Sequence, residues 1–252
     1  MNKVKSMFVD VIAFVIMWMR RNLPQVFSRL YSKRLNVETL DNTLVIVPHP
    51  DDDTFGCGML IKSLCDTKKR VDVIILSKGE AVLPEKVIGR KELTDARREL
   101  AIAANKNLGL DVEHLHILDF PDNHFEDATE LSKQKLCNLL DSLKPSHVFI
   151  PNPWEGLKDH VVASDVLTKM LKNYNVKVYY YCVWMYYYIS IPMIFKLDFR
   201  RSFYLRGDWI AKCKSIDIYM GALTADGRKI SGNLPELFLV AVGDKRELYF
   251  EA

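Results

Sequence analysis

From residue 43 the chain alternates between short apolar runs and longer stretches whose apolar positions recur every three or four residues. "TLVIVP" (43–48), "RVDVIILS" (70–77), "EHLHIL" (113–118), "SHVFIP" (146–151) and "VKVYYYCVW" (176–184) have the length and composition of strands. Between them the helical period predicts helices over Phe55–Asp66, 89–109, 128–143 and His160–Lys172, with Gly109 placed to cap the second. Strands that alternate with helices of this length build a mostly parallel sheet covered on both faces, an α/β, Rossmann-like layout. Past residue 185 the regularity fades. An aromatic stretch, "MYYYISIPMIF", precedes a helix near 207–221 and a late strand at "LFLVAV" (237–242). No internal repeat, linker or low-complexity tract divides the chain, so residues 41–252 read as one domain behind a leader of residues 1–40.

The leader is apolar and basic. "MFVDVIAFVIMWM" (7–19) is broken only by Asp10 and ends at Arg20 and Arg21, and a second short pattern follows in "PQVFSRLYSKRL". A helix over 7–19 reaches about 20 Å, short of the roughly 30 Å hydrocarbon core of a bilayer. Arg-Arg-Asn-Leu-Pro offers no small-residue site for signal cleavage. Basic residues around such a helix point to peripheral membrane contact through residues 1–34; packing on the body or on a partner subunit is the alternative. Lys3, Lys5, Arg20, Arg21, Arg29, Lys33 and Arg34 against Asp10 and Glu38 place +5 of charge in the leader, so the whole-chain +3 leaves the body nearly neutral. A nucleic-acid surface is not indicated. Cys57, Cys65, Cys137, Cys182 and Cys213 are dispersed without a CxxC pair, which argues against a disulfide framework or a cysteine zinc site. Reduced thiols fit a cytoplasmic protein, here with the leader at the inner face of the membrane.

In an open α/β sheet, ligands bind beyond the carboxyl ends of the strands. Three polar clusters fall there: Asp51 to Asp53, "FPDNHFED" (120–127) and "PNPWEGLKDH" (151–160). Adjacent carboxylates repel unless a cation lies near. His49 and Asp52, three apart across Pro50, together with Asp159 and His160 offer two imidazoles and a carboxylate, a set suited to zinc with an open position, or to iron(II). With Asp52 on the metal, Asp51 is placed to take a proton from water. Local alternatives stay open: Asp53 or Thr54 as cap of the next helix, and Asp159 as cap of the helix from His160. Gly56 and Gly58 lack the third glycine of GxGxxG, since Ile61 stands there, and read as room for helix–strand packing. His114 and His116 share a strand face and read as structural.

"PHPDDDTFGCG" resembles the PHPDDE signature of the PIG-L/LmbE-type zinc-dependent N-deacetylases, and "PNPWEGLKDH" resembles their second, HxDH-type signature. "LSKGE", "RRELAIAANKNLG" and "LDFPDN" are similar to the connecting motifs, in the same order, so the likeness is good over roughly 43–165 and loose to 252. It implies a hydrolase that removes acetyl from an N-acetylated amino sugar, a GlcNAc-type conjugate, lipid-linked glycan intermediates included. By position it implies His49, Asp52 and His160 as zinc ligands, Asp51 as general base and Asp159 as orienter of a neighbouring imidazole. Arg97 and Asp122 fall where family members contact the sugar. Arg98 is a close second to Arg97, because Leu100 stands where an Arg-x-x-Glu spacing would put Glu. Trp154 and the Tyr-rich stretch after the fifth strand are candidate walls.

One departure matters. The first histidine of HxDH is here Leu157, with Lys158 beside it. Either His124 or Lys158 supplies the missing acid–base group near the substrate, or the enzyme is slow, or the chain is a catalytically weakened sugar-binding or scaffold protein of a glycan-assembly pathway. A nucleotide-binding Rossmann protein is disfavoured, because strand one ends in HPDDD instead of a glycine-rich turn.

Overall fold

A computed structural model describes residues 3–252, with side-chain environments from residue 11. The leader charges Lys3, Lys5 and Asp10 therefore lie outside the described side chains. The chain runs α1 (Lys3–Tyr31), β1 (Lys33–Arg34), β2 (Thr43–Val47), α2 (Asp52–Asp66), β3 (Val71–Ser77), α3 (Arg90–Leu108), β4 (Leu115–Phe120), α4 (Glu130–Leu143), β5 (His147–Pro151), α5 (Lys158–Leu171) and β6 (Lys177–Tyr181). After these come α6 (Met185–Tyr188), α7 (Ile191–Ile194), β7 (Ser202–Leu205), α8 (Trp209–Gly221), α9 (Glu236–Val242) and β8 (Glu247–Glu251).

Eight strands form one sheet in the order β1-β7-β8-β6-β5-β2-β3-β4. Among the described residues, only β8 runs antiparallel to its neighbouring strands, β6 and β7. Because successive side chains leave a strand on opposite faces, each strand feeds two cores. Val45, Val47, Val73, Ile75 and Phe149 pack with α2, α3, α8 and α9. Leu44, Ile46, Ile74, Leu76, Val148 and Ile150 pack with α4 and α5. The expected two-faced α/β layout is the observed one. Gly56 lets α2 lie on the sheet, since a Cβ there would sit 2.6 Å from the Tyr181 ring.

Three expectations need correcting. "LFLVAV" is not a strand but α9: Phe238, Ala241 and Val242 are buried while Leu237 and Val240 are exposed, a helical period. The late strand is "ELYFE", which closes the sheet between β6 and β7. The leader does not divide into two patterns, because α1 continues through Pro24. Its second half is pinned to the body, with Gln25 and Ser28 buried and Arg20 Nη1 donating to the Tyr187 carbonyl at 2.8 Å, so tertiary contact overrides the proline. Finally, Val112–His114 form a 3-10 turn, so the third strand starts later, at Leu115.

Candidate metal centre

β2 ends at Val47, and the turn through Pro48, His49 and Pro50 delivers Asp51 to the start of α2. Asp51 takes φ 115°, a conformation that costs energy for any residue with a Cβ and persists only where its surroundings impose it. Arg97 imposes it from α3. Its Nη2 donates to the Pro50 carbonyl at 2.7 Å and lies 3.4 Å from Asp51 Oδ2. Gly79, at φ +67°, clears the path of that side chain, since a Cβ there would meet Arg97 Nε at 2.2 Å. From the other side, the Asp51 N–H donates to Asp53 Oδ1 at 3.2 Å, and Asn105 Nδ2 donates to Asp53 Oδ2 at 2.6 Å. The expected helix caps are absent: Asp53 turns back to Asp51, the Thr54 hydroxyl has no partner, and Asp159 accepts from the Asn123 N–H at 2.6 Å instead of capping α5.

His49 Nδ1 and His160 Nε2 each lie 3.2 Å from Asp52 Oδ2, so one ion can reach all three. The far nitrogen of His49, Nε2, sits 3.2 Å from both Asp122 Oδ1 and Asp159 Oδ2. Those carboxylates fix the ring and present Nδ1 forward. His160 is wholly buried, and neither of its nitrogens has an aligned hydrogen bond, although Glu155 Oε2 stands 3.4 Å from Nδ1. His49 Nδ1 and the unpartnered His160 Nε2 beside the Asp52 carboxylate are the donor chemistry a divalent cation requires, and the residues fit one. The electrostatics agree. Burial pushes Asp51 up to about 8 despite the Arg97 guanidinium. Burial disfavours charge on His160, yet Asp52 and Glu155 outweigh it and raise the ring to about 9. Asp52 is also desolvated, but His160 and His49 hold it well below the carboxylate range. Above the cluster is a cavity of about 160 Å³, lined by His49, Asp51, Asp52, Arg97 and Asp122 and walled by Leu157, Trp184, Ser231 and Leu234.

The model of the PIG-L family, described as GlcNAc-PI de-N-acetylase, matches residues 44–171, just over half of the chain. The chain belongs to the PIG-L family. A curated relative, the diacetylchitobiose deacetylase of Thermococcus kodakarensis, is 32% identical over an alignment of 147 residues that covers 55% of this chain and 54% of the relative. This chain thus spans about half the length of the curated relative it matches. Among solved structures, N,N'-diacetylchitobiose deacetylase from Pyrococcus horikoshii superposes with a TM-score of 0.59 at 20% identity, covering 75% of this chain and 73% of that one. The zinc-inhibited form of a teicoplanin deacetylase gives 0.60 at 15% identity, covering 83% and 97%. At those identities the two structures speak for a shared fold.

The PIG-L segment contains His49, Asp52 and His160, the three candidate ligands, and the structure brings His49, Asp51, Asp52, Arg97, Asp122, Asp159 and His160 together. It leaves others apart. His124 is 65% exposed, with Nδ1 3.8 Å from Asp127, and does not line the cavity. Lys158 pairs with Glu126 at the surface, and Arg98 is exposed beside Glu99. Trp154 packs on Phe250 at 6.4 Å, so the aromatic wall is Trp184 instead. Glu155 escaped sequence reading, because an acid before glycine reads as an ordinary turn. It accepts from the Val183 and Trp184 N–H groups at 2.9 and 2.5 Å while facing His160, so it ties the candidate ligand to the cavity wall.

Proposed function

We propose that this PIG-L chain is a metal-dependent N-deacetylase that hydrolyses the acetamido group of an N-acetylated amino sugar, with residues 41–252 as its catalytic domain. The observation that carries the reading is the convergence of His49, Asp52 and His160 on one point, with Asp51 at the same cavity. His49 Nδ1, Asp52 Oδ2 and His160 Nε2 would hold zinc or iron(II). A cation held there activates water and polarises the amide carbonyl. Asp51 takes the proton of the attacking water, its carboxylate made basic by burial and aimed by Arg97. Asp122 and Asp159 orient His49, and Glu155 does the same for His160. Leu157, Trp184 and Leu234 keep bulk water from the amide. Asp51 then passes that proton to the leaving nitrogen as the C–N bond breaks, which gives acetate and a free amine.

Acetate release from GlcNAc derivatives tests the reading, with zinc-loaded wild type beside Asp51→Asn. Turnover that disappears in the variant supports it; a wild type inert on every derivative refutes it. Leu157, on the cavity wall where the family signature has histidine, favours a second reading, a degraded hydrolase that only binds sugar. In that case Leu157→His gains the turnover that wild type lacks.

The finer reading is a lipid-linked conjugate met at a membrane surface. No described helix is long and apolar enough to cross a membrane. Yet α1 leaves Val11, Phe14, Val15, Trp18, Val26 and Leu30 exposed along one stripe, with exposed Arg29, Lys33 and Arg34 at its end. A groove between Phe14 and Trp18 of α1 and Leu237 and Phe238 of α9 adjoins this stripe. Phe238 stacks on Trp184 at 3.9 Å, so an apolar path leads from α1 to the cavity wall. Flotation with anionic vesicles that is lost in Trp18→Glu supports this placement; equal binding by both proteins removes it.

A further inference from the structure

The segment that joins α8 to α9 lies outside the family match, yet it completes the cavity. Ser231, within it, is 2% exposed and lines the cavity, and its hydroxyl has no hydrogen-bond partner among the described residues. A buried hydroxyl without a partner is costly, and protein interiors rarely keep one. The backbone on either side leaves it little freedom. The Ile230 N–H donates to the Ala222 carbonyl at 3.0 Å, the Ile230 carbonyl accepts from Arg97 Nη1 at 3.4 Å, and the Gly232 N–H donates to the Lys229 carbonyl at 3.0 Å. Gly232, at φ +78°, lies so close to Val82 that a Cβ would meet it at 2.8 Å. Arg97 is the residue that holds Asp51, so Ser231 stands on the base's side of the cavity.

The remaining lining explains what the hydroxyl is for. Asp51, Asp52 and Asp122 are acceptors engaged with Arg97, His49 or His160, and Phe55, Val82, Leu157 and Leu234 are apolar. Besides the His49 imidazole and the Trp184 indole N–H, which only donates, Ser231 and Asn123 are the neutral polar side chains there, and Asn123 stands on the Asp159 side. A serine hydroxyl both donates and accepts, which matches the hydroxyls of a sugar ring.

We propose that Ser231 is a substrate-binding residue that hydrogen-bonds one ring hydroxyl of the amino sugar and so sets which sugars the cavity admits. This rests on the N-deacetylase reading above. The test compares zinc-loaded, full-chain wild type and Ser231→Ala on an N-acetylglucosamine conjugate and on its 3-deoxy, 4-deoxy and 6-deoxy analogues. Loss of one neutral hydrogen bond is worth about tenfold. We expect wild type to lose about tenfold in kcat/KM on one deoxy analogue. Ser231→Ala should lose as much on the parent sugar, through KM with kcat nearly unchanged, and nothing more on that analogue. Equal loss on all four substrates, or none, overturns the proposal. The wild-type deoxy pattern keeps it falsifiable if the variant folds poorly: three analogues all handled like the parent also overturn it. If wild type releases no acetate, calorimetric binding of glucosamine and the deoxy glucosamines separates the two readings. The same one-analogue pattern then leaves Ser231 standing while the deacetylase reading falls, and absence of binding ends both.

Discussion

Two buried charged clusters lie along α2, one at its first turn and one near its middle, and their charges balance differently. The middle cluster is closed. Lys212 Nζ donates to Glu247 Oε1 and to the Phe55 carbonyl, both at 2.8 Å. Glu247 also accepts from the Met59 and Leu60 N–H groups and from the Tyr249 hydroxyl, at 2.8, 3.0 and 2.6 Å. One cation meets one anion, and both carboxylate oxygens are engaged. At the first turn Asp51, Asp52, Asp122 and Asp159 surround two imidazoles and Arg97, while Asp159 Oδ1 and both His160 nitrogens have no hydrogen bond. Buried charge is tolerated only when paired or on a metal. The closed pair is therefore architecture, and the open surplus of acid is a place for something positive.

The largest expected effect divides the clusters by what they lose. Asp51→Asn removes the base and should lower kcat by 10²–10⁴-fold, the usual worth of acid–base help, while the thermal stability of the metal-free protein changes little, because burial already keeps that carboxyl protonated at neutral pH. A variant with full turnover would end the assignment of Asp51. Lys212→Met should do the reverse: it strands Glu247 and costs about 3–5 kcal/mol of stability in urea melts, with turnover per folded molecule little changed. Adding Glu247→Leu should return part of that loss, because Phe55 O and Met59 N–H are i and i+4 partners on α2 and can then bond each other. A double variant weaker than Lys212→Met would contradict the closed-pair account.

Metal binding probes the open cluster alone. Without metal, His160 at about 9 carries a proton at neutral pH, and a cation held at its Nε2 must displace it; the neighbouring Asp51, at about 8, is no ligand but gives up its proton more readily beside a positive ion. Zinc affinity should thus rise from pH 7 to pH 9, by up to about tenfold per unit for each proton released. Competition with a chelator across that range measures it, and a flat profile would mean that zinc sits elsewhere. At a hundred times Kd the ion should add about 2.7 kcal/mol, roughly 5–10 °C in Tm for a chain of this size.

The same contrast governs what could be read from the chain. Five strands and the four helices between them were legible because their apolar periods are regular and local, α8 was legible in the tail as the helix near 207–221, and the acids of the first cluster stood out because "HPDDD" is abnormal at a strand end. The closed cluster was invisible: Lys212 and Glu247 lie far apart in sequence, and each alone reads as a surface charge. Glu155 and Ser231 hid for a related reason, since burial gives them their role and turn residues carry no signature of burial. The tail misled for a physical cause as well. "LFLVAV" has strand composition, and only its packing between Trp184 and the Phe55 ring decides for helix.

His114 and His116, read as structural, form a third cluster that falls between the other two. One carboxylate, Asp72, takes Arg70 Nε at 3.0 Å on one oxygen and His114 Nδ1 and His116 Nε2 at 2.9 and 3.3 Å on the other. It sits near the start of β3, at the opposite end of the strands from the cavity. Burial works to raise its pKa, but the hydrogen bonds from His116, His114 and Arg70 prevail and bring it to about 2. A carboxyl depressed in the folded state stabilises above its unfolded value, near 3.9, and loses that contribution as pH falls through the folded one. Asp72→Asn should therefore cost about 2 kcal/mol at pH 5, and the gap to wild type should narrow between about pH 4 and pH 2. Urea midpoints across that window measure it. A gap of the same size at pH 5 and pH 2 would mean that Asp72 acts through shape, not charge, and that only the first-turn cluster is electrostatically poised.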